Sequence, residues 1–158
     1  MSPKSEKVLI IMKPDCIQRS LLGEILHRFE RKGLQIIGMK MTELGDVVLK
    51  EHYLHHSDKP FFVGLSNYMK SAPVVLVALS GVRAVSAVRM IVGPTRGHEA
   101  PAGTIRGDFS LSSQTNIVHA SDSSENAEIE IKRFFEPDEL FNYTKPEYPF
   151  MYAEDERG

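Results

Sequence analysis

The sequence is sparing with cysteine, has no enrichment in glycine or proline and no excess of charge of either sign, and contains no long apolar run. Cys16 is the one cysteine in 158 residues. No intrachain disulfide can form, and the chain suits a reducing compartment, the cytoplasm. Eleven Gly and nine Pro are too few for collagen or low-complexity disorder. Nineteen Lys and Arg against twenty-one Asp and Glu leave a formal charge of −2, so no global field draws the chain to nucleic acid or anionic lipid. The polar start from Met1 to Lys7 precedes an apolar run of only Val8 to Met12, which reads as neither a signal peptide nor a membrane span. Nothing matches the phosphate-binding patterns G-x-x-x-x-G-K-[ST] or G-x-G-x-x-G, or the zinc pattern H-E-x-x-H. Phosphate chemistry here needs another device.

What is present fits a single domain over residues 1–158 with a sizeable core. Val8 to Met12 reads as a fully buried strand ended by Lys13-Pro14, and the apolar spacing of Leu21, Leu22, Ile25, Leu26 and Phe29 predicts a helix over 14–32 that stops at Gly33. Residues 34–44 and 73–79 return to strand character, with short helices expected over 48–56 and 60–70, the second opening on Pro60. Residues 81–92 read as a helix, 93–114 as a long functional loop, 116–119 as a fourth strand and 123–135 as a last helix capped by Ser123 or Ser124. The tail, 142–158, is aromatic enough to dock on this subunit or, the favoured expectation, on a neighbouring one. This order predicts an α/β (α+β) sandwich of the split βαβ, ferredoxin-like type; a doubly wound parallel sheet has a similar pattern.

Between Arg83 and Arg106 lie Arg83, Arg89, Arg96 and Arg106, with Gly93, Thr95 and Gly103 among them, no Lys and one acid, Glu99. Guanidinium forks suit phosphate oxygens, although exposed arginines can simply be solvated. Lys13, at the exit of the first strand, can add a point charge. A nucleophilic histidine needs one ring nitrogen free and the other held by a partner. His119 ends an apolar strand, and Ser121 and Glu130 can supply that holding chain. His52, His55 and His56 lack supporting Cys or spaced carboxylates, so they read as a solvated helix face rather than a metal site, with one able to reach an anion. Phe61 and Phe62 suit either the core or stacking on a base.

Asn116-Ile117-Val118-His119-Ala120-Ser121-Asp122 resembles the active-site motif of nucleoside diphosphate kinases, and Lys13-Pro14-Asp15, Lys59-Pro60-Phe61-Phe62 and Gly103-Thr104-Ile105-Arg106-Gly107-Asp108-Phe109 match that family in order and spacing. The resemblance runs from Lys7 to Tyr152. It implies ping-pong transfer of the γ-phosphate of a nucleoside triphosphate, typically ATP, to a nucleoside diphosphate through a phosphohistidine at His119. By the same resemblance, Glu130 and Ser121 orient His119, Lys13 and Asn116 meet the ribose 3′-hydroxyl, and Tyr53 lies near the transferred phosphate. Arg89, Thr95 and Arg106 bind phosphate oxygens, His56 touches the α-phosphate, Phe61 stacks on the base and Leu65 flanks it. Mg2+ arrives with the nucleotide, held mainly by its phosphates. A homo-oligomer is implied, a hexamer favoured over a tetramer.

Three positions depart from the family pattern. Cys16 and Ala120 stand where small residues such as Gly are usual, so Cys16 is either oxidation-sensitive or a buried filler, and Ala120 is strained if its φ is positive. Ser113 replaces an apolar residue behind the base. The alternative functions are a catalytically idle nucleotide-binding regulator, which predicts a missing site residue, and single-stranded nucleic-acid binding, which the charge disfavours.

Overall fold

A computed structural model describes residues 4–157; Met1 to Pro3 of the polar start, and Gly158, lie outside the described residues. Strands β1 (Ser5–Met12), β2 (Gln35–Thr42), β3 (Val74–Val82) and β4 (Val118–Ala120) form one sheet in the order β2-β3-β1-β4, with every neighbouring pair antiparallel. That is the split βαβ order, and it excludes the parallel alternative.

The continuous apolar runs of β1 and β3 are explained by helices on both faces of the sheet. Alternate side chains point to opposite sides. Val8, Ile10 and Met12 of β1, with Val75, Val77 and Leu79 of β3, join one core cluster, while Leu9, Ile11, Leu76 and Ala78 join the other. Helices α1 (Pro14–Gln18), α2 (Leu22–Lys32) and α5 (Ala84–Val92) contribute Cys16, Ile25, Phe29 and Val88 to the first. Helices α3 (Asp46–His52), α4 (Phe62–Met69) and α7 (Ser124–Phe134) contribute Leu49, Leu65 and Ile131 to the second.

Several elements differ from the sequence pattern. The helix expected over 14–32 is broken into α1 and α2 at Ser20, whose φ is +58°, whereas Gly33 ends α2 with φ +104° as expected. Pro60 precedes α4 rather than opening it, and Gly81 is the penultimate residue of β3. The loop over 93–114 contains α6 (Ile105–Phe109), capped by the Thr104 hydroxyl, which accepts the Gly107 N–H. Ser123 caps α7, its side chain accepting the Asn126 N–H.

The tail packs on its own chain. Its short helix α8 (Tyr148–Met151) precedes Tyr152, whose hydroxyl accepts the Val82 N–H at 3.1 Å, and the Gln35 side chain donates to the Tyr143 carbonyl at 2.6 Å. Phe150 remains 91% exposed.

Candidate active site

The centre of the site depends on a backbone contortion at the start of β4. Ile117, β-branched and fully buried, has φ +78°, a region such residues rarely enter. It is held from both sides: its N–H donates to Asp15 Oδ2 at 3.0 Å, and its carbonyl accepts the Lys13 N–H at 2.9 Å. Asp15 is itself fixed by the Tyr68 hydroxyl, which donates to Oδ1. The short α1, started by Pro14, is thereby tied to the strand that carries His119.

His119 is the middle residue of β4, paired with Ile11 of β1. Its Nε2 lies 2.5 Å from Glu130 Oε2, so Glu130 occupies one ring nitrogen and Nδ1 is left for chemistry. Burial pushes the Glu130 carboxyl up, but the hydrogen bonds and charges of His119, Ser121 and His52 outweigh it and hold the group below the usual range. Ser121 is fully buried. Its Oγ accepts the Leu9 N–H at 3.0 Å and donates to the Leu9 carbonyl at 3.4 Å, and the hydroxyl is near enough to Glu130 to help lower its carboxyl.

His119 opens into a cleft of about 920 Å³. Lys13, Arg89, Thr95, Arg106 and Asn116 line it, as do Tyr53, His56, Phe61 and Leu65 from the α3–α4 region. Every residue expected at the site therefore faces this cleft, apart from Ser121 behind it. Lys13 Nζ donates to Asn116 Oδ1 at 2.7 Å, and Asn116 Nδ2 donates to the carbonyls of Thr95 and Ser113 at 2.9 and 3.0 Å. Burial, with the nearby Arg106 charge, lowers Lys13 to about 8.

Arg106 spreads its fork over three backbone carbonyls: Asn116 at 3.2 Å, Gly93 at 3.1 Å and Val118 at 2.6 Å. It both presents charge to the cleft and stitches the long loop to β4. Gly93 is required at its position, because its φ is +86° and a Cβ there would meet Thr104 Oγ1 at 2.6 Å. Arg83 and Arg96 do not reach the cleft; they pair with Glu156 and Glu99 instead. Phe61 is 51% exposed at the start of α4, its ring 5.1 Å from that of His56. Such an apolar face open to solvent suits stacking. Burial raises the Tyr53 hydroxyl to about 12, which keeps it a neutral donor.

His52 overturns the solvated-face reading of its cluster. It is buried on the inner side of α3, its ring edge-on to His119 with centroids 4.7 Å apart. His52, His119 and Glu130 bring three ligand atoms within 4.8 Å of one another, close enough for a metal ion. Arg133 opposes that use, because its Nη1 lies 2.9 Å from His52 Nδ1 and carries fixed positive charge where a cation would sit. The sequence pattern puts His52 on a solvated face and does not single out Arg133. The available signals were the i+3 spacings of Leu49 to His52 and Glu130 to Arg133, which set each on the inward face of its helix.

The family described as "Nucleoside diphosphate kinase" matches residues 6–140. The chain belongs to the nucleoside diphosphate kinase family. It is 52% identical to the nucleoside diphosphate kinase of Parabacteroides distasonis, covering 96% of this chain and 99% of that one, and 46% identical to that of Rhodopirellula baltica over the same shares. Among solved structures, a halophilic nucleoside diphosphate kinase from Halobacterium salinarum in complex with CDP superposes with a TM-score of 0.91 at 37% identity, covering 94% of this chain and 99% of that one. Against the nucleoside diphosphate kinase pattern, the three departures resolve individually. Ala120 is absent from the positive-φ residues and pairs with Ile10 in the sheet, so the strain expected there does not arise; Ile117 carries it. Cys16 is fully buried, and burial pushes its thiol up to about 12, so it is the buried filler. Ser113 lines the cleft.

Proposed function

We propose that the nucleotide phosphotransfer of the nucleoside diphosphate kinase family runs in this chain through His119 as nucleophile. The carrying observation is the 2.5 Å contact of His119 Nε2 with Glu130, which leaves Nδ1 as the free nitrogen at the base of a cation-lined cleft. In the first half-reaction Nδ1 attacks the γ-phosphorus, an N–P bond forms and the bond to the β-phosphate oxygen breaks, releasing a nucleoside diphosphate. In the second, a terminal oxygen of another nucleoside diphosphate attacks the same phosphorus and the N–P bond breaks.

Glu130 stabilises the positive charge that His119 acquires, with Ser121 supporting Glu130. Arg89, Thr95 and Arg106 bind the phosphate oxygens, supplying charge where it develops. Tyr53 donates toward the transferred group and His56 toward the α-phosphate. Lys13 and Asn116, already joined to each other, bind the ribose 3′-hydroxyl. Phe61 stacks on the base with Leu65 beside it, a mode that accepts any base.

Lys13, Arg89 and Arg106 supply cations to the cleft, and among the described residues its carboxylates do not come together as a three-carboxylate cage. That donor set fits Mg2+ carried by the nucleotide's phosphates, with the Asp122 carboxylate, held below the usual range by its hydrogen bond from Asn126, facing the same cleft. When bound, Mg2+ offsets charge on the β- and γ-phosphates. The reading includes a cytoplasmic homo-oligomer, a hexamer favoured over a tetramer, with Phe150 and Leu111, at 91% and 88% exposure, available to neighbouring subunits.

The test is single-turnover labelling with γ-labelled ATP and Mg2+ in the absence of acceptor. The expected result is acid-labile, alkali-stable label on His119 that GDP removes within the mixing time, and none in His119→Ala, which still binds nucleotide. ATP binding without label would leave an idle nucleotide-binding protein.

A further inference from the structure

Arg133 lies one turn along α7 from Glu130, and its Nη1 is 2.9 Å from His52 Nδ1. A guanidinium has donors and no lone pair, so His52 Nδ1 must be the acceptor. The ring is therefore neutral, with its proton on Nε2. The same Nδ1 lies 3.6 Å from Glu130 Oε2, and this is the oxygen that contacts His119 Nε2 at 2.5 Å. Two rings thus converge on one carboxylate oxygen, and only the one carrying a proton on the facing nitrogen can claim it.

We infer that Arg133 is a positioning residue for the phosphotransfer, fixing the His52 tautomer so that Glu130 Oε2 is reserved for His119. The inference rests on the reading of His119 as nucleophile. Without the Arg133 donor, the lone pair of His52 Nδ1 faces a carboxylate, an unfavourable pairing of two acceptors. The ring escapes it by moving its proton from Nε2 to Nδ1 and donating to Oε2. That bond competes with the one from His119, loosening the imidazole and withdrawing charge from it as the phosphohistidine forms.

The surroundings of His52 favour the neutral ring. Burial pushes it down to about 3, with His119, Arg133 and His55 acting in the same direction against Glu130. The Tyr53 and Phe134 rings pack edge-on against it at 4.7 and 5.2 Å. The Glu51 carboxylate on α3 lies 3.3 Å from Arg133 Nε as an ion pair without a hydrogen bond.

The experiment compares wild type, R133M, R133K and R133M/H52F by single-turnover phosphorylation of His119 from ATP, alongside nucleotide Kd. In R133M the phosphorylation rate is expected to fall by about 10-fold, as for a weakened charge-assisted hydrogen bond, with Kd unchanged. R133K keeps a donor and retains most of the rate. The deciding variant is R133M/H52F, where no competing N–H remains and the rate recovers. A rate that stays low in the double variant, or an R133M rate equal to wild type, overturns the inference. Imidazole 15N shifts of the wild-type protein give a readout independent of any variant: an acceptor-type Nδ1 and protonated Nε2 in His52 are expected, and the reverse tautomer overturns the inference. Wild-type protein that binds ATP without labelling His119 overturns the parent reading as well, an outcome distinct from labelled protein whose rates ignore Arg133.

Discussion

The Asp15 carboxylate accepts the backbone N–H of Ile117, two residues before His119, at 3.0 Å. Its second oxygen accepts the Tyr68 hydroxyl, so both are committed and the group is buried. Asp15→Ala removes both acceptors and leaves the buried N–H of Ile117 without a partner. A buried polar group left unmatched costs about 1–3 kcal/mol. The positive φ of Ile117 loses its restraint at the same time. The expected outcome is a lower denaturant midpoint with an unchanged m-value, together with slower phosphorylation of His119. Wild-type stability and rate in this variant would show that Asp15 does not hold the turn.

Lys13 gives a pH dependence whose sign differs for stability and binding. Its folded pKa of about 8 lies below the unfolded value of about 10.4. Between those values the unfolded chain binds more protons than the folded one, so stability rises with pH through that window and levels off above it. Nucleotide binding behaves oppositely, since the ammonium charge is lost as pH passes about 8. Affinity for ADP should weaken from pH 7 to pH 9, with proton uptake on binding at the upper end. Calorimetry in buffers of different ionisation enthalpy measures that uptake, and Lys13→Met should abolish it.

Arg106 and Arg89 face the same cleft but should fail differently when removed. Arg106 is buried and bridges the carbonyls of Gly93, Asn116 and Val118, whereas Arg89 is exposed with one long contact of 3.4 Å to the Ala120 carbonyl. Arg106→Ala should lower kcat by on the order of 10²-fold or more and lower Tm as well. Arg89→Ala should weaken turnover with Tm unchanged. Equal Tm losses in both variants would contradict the stitching role given to Arg106.

The parts legible in the sequence were those with a local signature. The apolar runs of β1 and β3 announced buried strands, Gly33 announced a helix end, and the candidate site residues named from the resemblance line one cleft, apart from Ser121 behind it. What stayed hidden depended on contacts distant in sequence. His52 sits in a cluster that looks solvated because nothing near it in the chain says that α3 packs against α7. Arg83 and Arg96 look like phosphate ligands until their partners, Glu156 in the tail and Glu99 in the loop, are seen to hold them elsewhere. The break at Ser20 is invisible because serine is not a residue that signals positive φ.

The backbone at Ala120 supplies a last prediction, because the family pattern favours glycine there. Were φ positive, Ala120→Gly would stabilise the protein by relieving strain. Ala120 instead lies in β4 with an ordinary φ, its Cα paired with that of Ile10 and its side chain in the core cluster with Ile10 and Val118. Glycine there adds backbone freedom to the unfolded chain and removes a buried methyl. Ala120→Gly should therefore cost about 0.5–1 kcal/mol from the backbone alone, and more with the lost burial. The carbonyl that Arg89 contacts and the position of His119 are unaffected, so the phosphorylation rate should stay within a factor of about 3, well under the 1.4 kcal/mol that a tenfold change represents. Urea unfolding and single-turnover labelling of the same sample separate the two effects. A more stable Ala120→Gly protein would mean that β4 is strained after all, and the ordinary conformation at this residue would have to be abandoned.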